Sequence, residues 1–371
     1  VARALQSLAP GQSIEVLGTD RHLGLHLAAW ARGHGHRAQG ATLTKGTADR
    51  ARWAESERAG SPEPGSVWEK APRRWGLAAR GALVEAGGPD LSVADLDTKA
   101  AVWSDLAPRL YAQAAASQWD PATAINWNAD ISLPPEIEAA VVQVMTYLVE
   151  NEQAALMVPA RFLGRVHPHY REVAQLLAVQ TADEARHIEV FSRRALLVTG
   201  QLGVSGAGGR ASLQSLLEEP DYSVASFLLS VLGEGTFLHL LSFLERHAPD
   251  VVTAQVCHLA LQDEARHVAF GLGHLEEQLR TEPGLRPRLR LAMERRHNAL
   301  ASTSGLNEEV FDALIVLAAG SWTPEAIRRG HDLVQRLQAD MDEGRRRRLT
   351  RLGFTPGEAA ELSALHTRNF M

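Results

Sequence analysis

The sequence predicts a mostly α-helical chain: a four-helix bundle, additional helices C-terminal to it, and a small partial α/β segment at the N-terminus. Three observations carry this. Asp-Glu-Ala-Arg-His stands at 183–187 and again at 263–267. From Ser132 onward, apolar residues recur at helical spacing. The helical stretches are joined by a short link, a long link and a short link, which makes two hairpins with a crossover between them. Residues three apart share a helix face, so Glu184 points with His187 and Glu264 with His267. A single Glu-x-x-His arises by accident on amphipathic helices. Two identical pentapeptides in the same register of similar helices do not.

Bulk properties set the outer limits. The 371 residues are 45% hydrophobic and 22% charged, enough apolar material for one large domain or one large and one small. A net charge of −6 argues against nucleic acid as a partner. No uncharged apolar run reaches the roughly 18 residues of a membrane span. No signal peptide is visible either, so neither membrane nor export is expected. The single cysteine, Cys257, excludes an internal disulfide and suits a cytoplasmic location. The chain opens on Val1 rather than Met, as a fragment or an unusual start would.

In chain order, residues 1–48 come first. Val1 to Leu8 is apolar, Pro10-Gly11 marks a turn, and Ile14 to Leu17 reads as a short strand. Leu23 to Arg32 then reads as a helix closed by Gly33 and Gly35, with a second strand near Ala41 to Leu43. Through Leu8-Ala-Pro-Gly11, Ile14-Glu-Val16 with Thr19-Asp20, Trp30 and Gly35-His36, this segment resembles the small sulfur-carrier (TusA-type) fold. That resemblance implies a working cysteine before a proline ahead of the first helix, and the sequence has none there. Residues 49–131 form a connector rich in Ala, Gly, Pro and Trp. Its tryptophans are expected to pack it onto the bundle, and Thr98 to Ser117 is expected to be helical.

Residues 132–371 form the helical domain, with the bundle at 132–280 and cladding helices at 281–371. Ser132 is the expected cap of the first long helix, with Pro134 and Pro135 in its first turn and an end near Leu163. Pro168 opens the second, which stops at Gly200. A Gly-rich stretch and a short helix lead to the third, about 222–247, and Pro249-Asp250 opens the fourth, ending near Arg280. This is the ferritin-like topology. Further helices are expected at 285–302, 307–319, 323–351 and 355–370. Arg345 to Arg348 is expected to be a solvated face or helix end.

Two Glu-x-x-His pairs supply half of a dinuclear bundle site, and the other half needs one Glu from each remaining helix. On the third helix the candidate is Glu234, whose neighbours are apolar. On the first, Glu150 and Glu152 compete. Glu152 lies on the apolar stripe between Leu148 and Leu156. Aligning Phe162-Leu163 with Phe243-Leu244 also brings Glu152, not Glu150, nearly onto Glu234. The candidate metal ligands are therefore Glu152, Glu184, His187, Glu234, Glu264 and His267. Oxygen-rich ligation with two imidazoles suits two iron ions, with Fe/Mn or Mn/Mn as alternatives. Asp183 and Asp263 can accept from the opposite helix's histidine, and Arg186 and Arg266 can pair with them or lie in surface ion pairs.

With these residues, 132–280 resembles the ferritin-like diiron-carboxylate oxidases and oxygenases. That resemblance implies bridging roles for Glu184 and Glu264 and terminal roles for Glu152 and Glu234. It implies an O2-activating enzyme that hydroxylates, desaturates or N-oxygenates a small-molecule substrate, served by an external electron donor, with a homodimer as the candidate assembly. The rival readings are a ferroxidase-type or non-catalytic iron protein and a sulfur-relay or scaffold protein. Reductase small subunits of the group carry a radical tyrosine where Phe191 stands, its monooxygenases a threonine where Leu238 stands, and its arylamine N-oxygenases a third histidine where Ala260 stands.

Overall fold

The computed structural model describes residues 1–47, 53, 55–300 and 308–366. The expected helix limits at 302, 307 and 370 lie outside the described residues. The chain divides into two compact units, Val1–Ser92 and Val93–Met371.

The first unit begins with α1 (Ala2–Gln6), β1 (Ser13–Glu15), α2 (Leu23–Gly33), β2 (Arg37–Gln39) and β3 (Thr42–Thr44). The sheet is antiparallel in the order β1-β3-β2, with Ile14 and Ala38 both opposite Leu43. Leu5, Leu27, Ala31 and Leu43 form its core. The strand at Arg37–Gln39 is one the sequence pattern does not announce, because three residues are too few to display alternation. A two-stranded ribbon, β4 (Glu57–Arg58) with β5 (Leu83–Val84), follows.

The second unit is helical. The stretch 98–117, expected to be helical, holds two helices, α3 (Lys99–Val102) and α4 (Ala107–Ala116). Pro108 lacks an N–H and would strike a carbonyl one turn back, so the helix restarts just ahead of it. The first long helix, α5 (Pro135–Leu163), is not capped by Ser132. Its N-cap is Pro134, held extended at φ −54°, ψ 142° because the next residue is also proline. Helix α6 (Arg171–Thr199) carries the first pentapeptide, and α7 (Ala207–Leu217) lies in the crossover. Helix α8 (Tyr222–Arg246) is not uniform: Phe227–Glu234 is π-helical. Helix α9 (Val251–Thr281), capped by the Asp250 side chain, carries the second pentapeptide. Four helices follow: α10 (Leu285–Leu300), α11 (Glu308–Ala319), α12 (Pro324–Arg351) and α13 (Pro356–Ala364).

α5 pairs with α6 and α8 with α9, while α11 covers α5 and α12 covers α8 and α11. Val141, Leu148, Phe191, Leu240, Leu244, Val256 and Leu314 share one continuous core. α8 is long and apolar enough to cross a membrane by composition, yet 83% of its most apolar window is buried inside this bundle. The arginine run on α12 departs from the expected solvated face. Arg346 and Arg347 are exposed, but Arg345 and Arg348 are turned inward and buried. The helical period accounts for this, since residues three apart return to the same inward face.

Arg194 of α6 is fully buried. It donates to both oxygens of Glu138 (2.8 and 2.9 Å), to Asp250 (2.8 Å) and to Thr253 Oγ1 (2.8 Å). One guanidinium thus ties the start of α5 and the cap of α9 to α6. Arg194→Ala leaves two carboxylates buried without their cation and is expected to cost about 3–5 kcal/mol. Urea unfolding measures this. A loss no larger than that of an exposed pair, below about 1 kcal/mol, would contradict it.

Candidate metal centre

Midway along the bundle, α5 supplies Glu152, α6 Glu184 and His187, α8 Glu234, and α9 Glu264 and His267. All six are buried, none more than 4% exposed. Glu150, the rival on α5, is only half-buried and belongs to neither group of converging donors. The donors form two groups, Glu152, Glu184, His187 and Glu264, and Glu184, Glu234, Glu264 and His267. Within each, one donor atom per residue lies within 4.8 Å of every other.

Glu184 and Glu264 belong to both groups, and their two oxygens divide between the imidazoles. Glu184 Oε2 is 3.0 Å from His187 Nδ1, and its Oε1 is 3.0 Å from His267 Nδ1. Glu264 Oε1 is 3.4 Å from His187 Nδ1 and its Oε2 is 3.5 Å from His267 Nδ1. Glu152 approaches only His187 (3.6 Å), and Glu234 only His267 (4.0 Å). Two carboxylates therefore span the site and one stands at each end.

The other ring nitrogens face outward. His187 Nε2 is 3.2 Å from Asp263 Oδ2, and His267 Nε2 is 3.2 Å from Asp183 Oδ2. Each histidine thus reaches the aspartate of the opposite helix. An N–H donated there leaves the Nδ1 lone pair free to face the cluster. Arg186 pairs with Asp183 and, at 3.2 Å, with Asp263. Arg266 pairs with Asp263 and lies 3.8 Å from Asp183. These are inward ion pairs, since both guanidinium side chains are only 13% exposed.

Three further residues complete the surroundings. Gln118 donates to Asp183 (3.0 Å), Trp119 Nε1 to Asp263 (2.8 Å) and Gln180 to Glu234 Oε1 (3.0 Å). Trp119 also carries Arg186 over its ring at 5.0 Å. Gln180 was legible in principle, one turn before Glu184 on the same face. Gln118 and Trp119 come from the stretch after α4, and no local pattern ties them to the pentapeptides. Trp103 and Trp127 are buried in this unit, as the packing expectation had it, whereas Trp53 and Trp68 are exposed in the first. Phe191 is fully buried against His187, Ala260 is buried, and Leu238 is half-buried.

The electrostatics suit a site that can take cations. Burial, then the charges of Glu184 and Glu264, push Glu152 well above the usual carboxylate range. Burial and Glu264 do the same to Glu234. Burial opposes charge on Glu184 as well, but His267 and His187 outweigh it and hold that carboxyl low. Both imidazoles are drawn well upward: burial opposes this, and the surrounding carboxylates outweigh it. Glu184 Oε1, Glu234 Oε2, Glu264 Oε2 and His267 Nδ1 are buried without a hydrogen bond. Four inward-facing donors left so are costly in a protein interior and fit a dinuclear metal group.

A narrow cavity of about 30 Å³ adjoins this cluster, walled by Leu213, Leu216, Leu228, Leu229, Leu232 and Phe237, with Arg296 in its wall. Glu152, Glu234 and Glu264 reach it.

Among solved structures, the fold is similar to that of a variant of an R2-like ligand-binding oxidase with an aerobically reconstituted Mn/Fe cofactor. The identity is 20% and the TM-score 0.50, over 70% of this chain and 95% of that one. A second variant, with an aerobically reconstituted Fe/Fe cofactor, is 19% identical with a TM-score of 0.49, over 68% of this chain and 94% of that one. No protein-family model and no curated protein matches the sequence. At this identity the likeness is one of fold, and it is the ferritin-like bundle that the sequence predicts.

Two outcomes follow from the geometry. Glu152→Ala should weaken metal binding by about 10-fold or more, as loss of a ligand does, and Glu150→Ala should not. Isothermal titration of both variants with Co(II) decides this, and equal effects would contradict the arrangement. Metal must also displace protons held by the raised Glu152, Glu234 and imidazoles. Affinity should therefore fall as pH is lowered from about 8 to about 6, with protons released on binding.

Proposed function

We propose that this chain is a dinuclear metalloprotein with oxidase-type reactivity toward O2. The observation that carries the reading is the pair of buried donor groups sharing Glu184 and Glu264. Glu184 and Glu264 would bridge two ions, with Glu152 and His187 completing one position and Glu234 and His267 the other. The Mn/Fe cofactor named for the oxidase of similar fold makes Mn/Fe a candidate beside Fe/Fe. The metal pair would supply redox equivalents and open coordination positions for O2.

The chain's own residues do the rest. Asp183 and Asp263 fix the tautomer and tilt of the imidazoles. Arg186 and Arg266 offset the aspartates' charge and close that face to water. Glu152 and Glu234, whose carboxyls favour the protonated form in the metal-free cluster, would release those protons as they take up metal. The leucine-lined cavity supports the finer reading, oxidation of a small, largely apolar organic molecule by hydroxylation, desaturation or N-oxygenation, with electrons from an external donor. Apolar walls beside Glu152, Glu234 and Glu264 would favour an apolar group at that edge of the cluster. The ferroxidase-type or non-catalytic iron-binding reading stands beside it, carried by the same two donor groups.

The sulfur-relay reading gains no support from the comparisons. Cys257 is fully buried on α9, and burial raises its thiol far above the reactive range. A reducing cytoplasm suits this single cysteine, and a homodimer stays the candidate assembly.

Anaerobic loading with Fe(II), or Mn(II) with Fe(II), followed by O2 and recorded by optical spectroscopy and metal analysis, tests the reading. Two ions per chain and rapid O2 consumption are expected. With Phe191 beside His187, no stable tyrosyl signal should appear by electron paramagnetic resonance. Iron accumulating far beyond two per chain would turn the reading to a ferroxidase. Folded protein that takes up no metal would end it.

A further inference from the structure

The π-helical segment Phe227–Glu234 delivers Glu234 to the cluster, and its hold lies outside the bundle hairpins, on α12. A return from i→i+5 to i→i+4 bonding skips one backbone carbonyl, which then needs another donor. Arg348 Nε donates to Val231 O at 2.7 Å, one turn before Glu234. Arg348 is 9% exposed, and no carboxylate is bonded to it among the described residues. A buried guanidinium spent on a backbone carbonyl is a poor stability device, since desolvation costs several kcal/mol per ion.

Two glycines make room for this arrangement. A Cβ at Gly235 would stand 2.5 Å from Arg348 Nε, so the residue after Glu234 is glycine where the guanidinium passes. On the other side, Ser230 lies against Gly271 of α9, where any side chain would collide with the π turn. Two neighbours reinforce the same stretch: Thr236 Oγ1 donates to Leu232 O at 2.6 Å, and Arg345 Nη1 donates to Thr236 Oγ1 at 3.5 Å.

We infer that Arg348 is a positioning residue for Glu234: by holding Val231 O it keeps the π turn, and the π turn keeps the Glu234 carboxylate inside the cluster. Without it, α8 relaxes toward regular α-helix. One residue of register is about 100° of rotation, enough to carry Glu234 off the interior face. The inference rests on the proposed metal site. Its consequence is asymmetric, because Glu234 belongs to only one of the two donor groups.

The test is anaerobic Co(II) titration of the full chain, read by visible absorption and equilibrium dialysis, with amide hydrogen exchange on the metal-free protein. Arg348→Met removes the donor. Gly235→Ala displaces the guanidinium by its methyl group and serves as the second variant should the first fold poorly. Each should retain one Co(II) position near wild-type affinity and weaken the other by about 10–100-fold. Exchange should accelerate over residues 231–236. Arg347→Met, whose side chain is 76% exposed, should behave as wild type. Two unchanged positions in both variants, or both positions lost together in step with the melting temperature, would overturn the inference. A wild type that binds no Co(II) would remove the metal reading itself, and the inference with it.

Discussion

Four carboxylates and two imidazoles, each at most 4% exposed, share one layer of this bundle. Isolated charges there would each cost several kcal/mol, and like charges at these separations repel. Apart from cations, the chain can relieve this only by protonation, and the upward displacement of Glu152 and Glu234 is that relief. Helices are suited to hold such a layer because their backbones are hydrogen-bonded internally, which leaves the side chains as the only polar groups to satisfy. A ligand that binds only the folded cluster stabilises it by mass action, so metal loading and folding are linked.

The surroundings divide the site into two unlike faces. On one, Asp183 and Asp263 cross over to the opposite helix's histidine, with Arg186, Arg266, Gln118 and Trp119 closing the network. On the other, leucines from α7 and α8 line the cavity that Glu152, Glu234 and Glu264 reach. The doubled pentapeptide builds the first face almost symmetrically. The second is asymmetric, because α8 carries the π turn and α5 does not, and because Gln180 has Ala260 as its counterpart. Chemistry that needs one face dry and open and the other polar and fixed suits this division.

The bundle was legible because its signals are local and repeated. Helix period, Pro168 and Asp250 at helix starts, Gly200 at an end and two identical pentapeptides all act within a few residues of where they are read. The inward position of Glu152, against the half-buried Glu150, follows from the apolar stripe for the same reason. What escaped depends on distant chain. Gln118 and Trp119 reach Asp183 and Asp263 across the tertiary fold, and Arg348 reaches Val231 from α12. The run Arg345 to Arg348 looked solvated because composition alone cannot tell which half of a helix is covered. The π turn in α8 left no pattern, since its residues are apolar in either geometry.

The central claim is that the buried cluster holds two metal ions between Glu184 and Glu264. Crystals of anaerobically iron-loaded protein, with anomalous diffraction collected on either side of the iron edge, test it most directly. The account requires two anomalous peaks about 3.5–4 Å apart, each within bonding distance of one histidine Nδ1 and flanked by both shared carboxylates. A single peak, or none within reach of His187 and His267 in folded, iron-loaded protein, would contradict it.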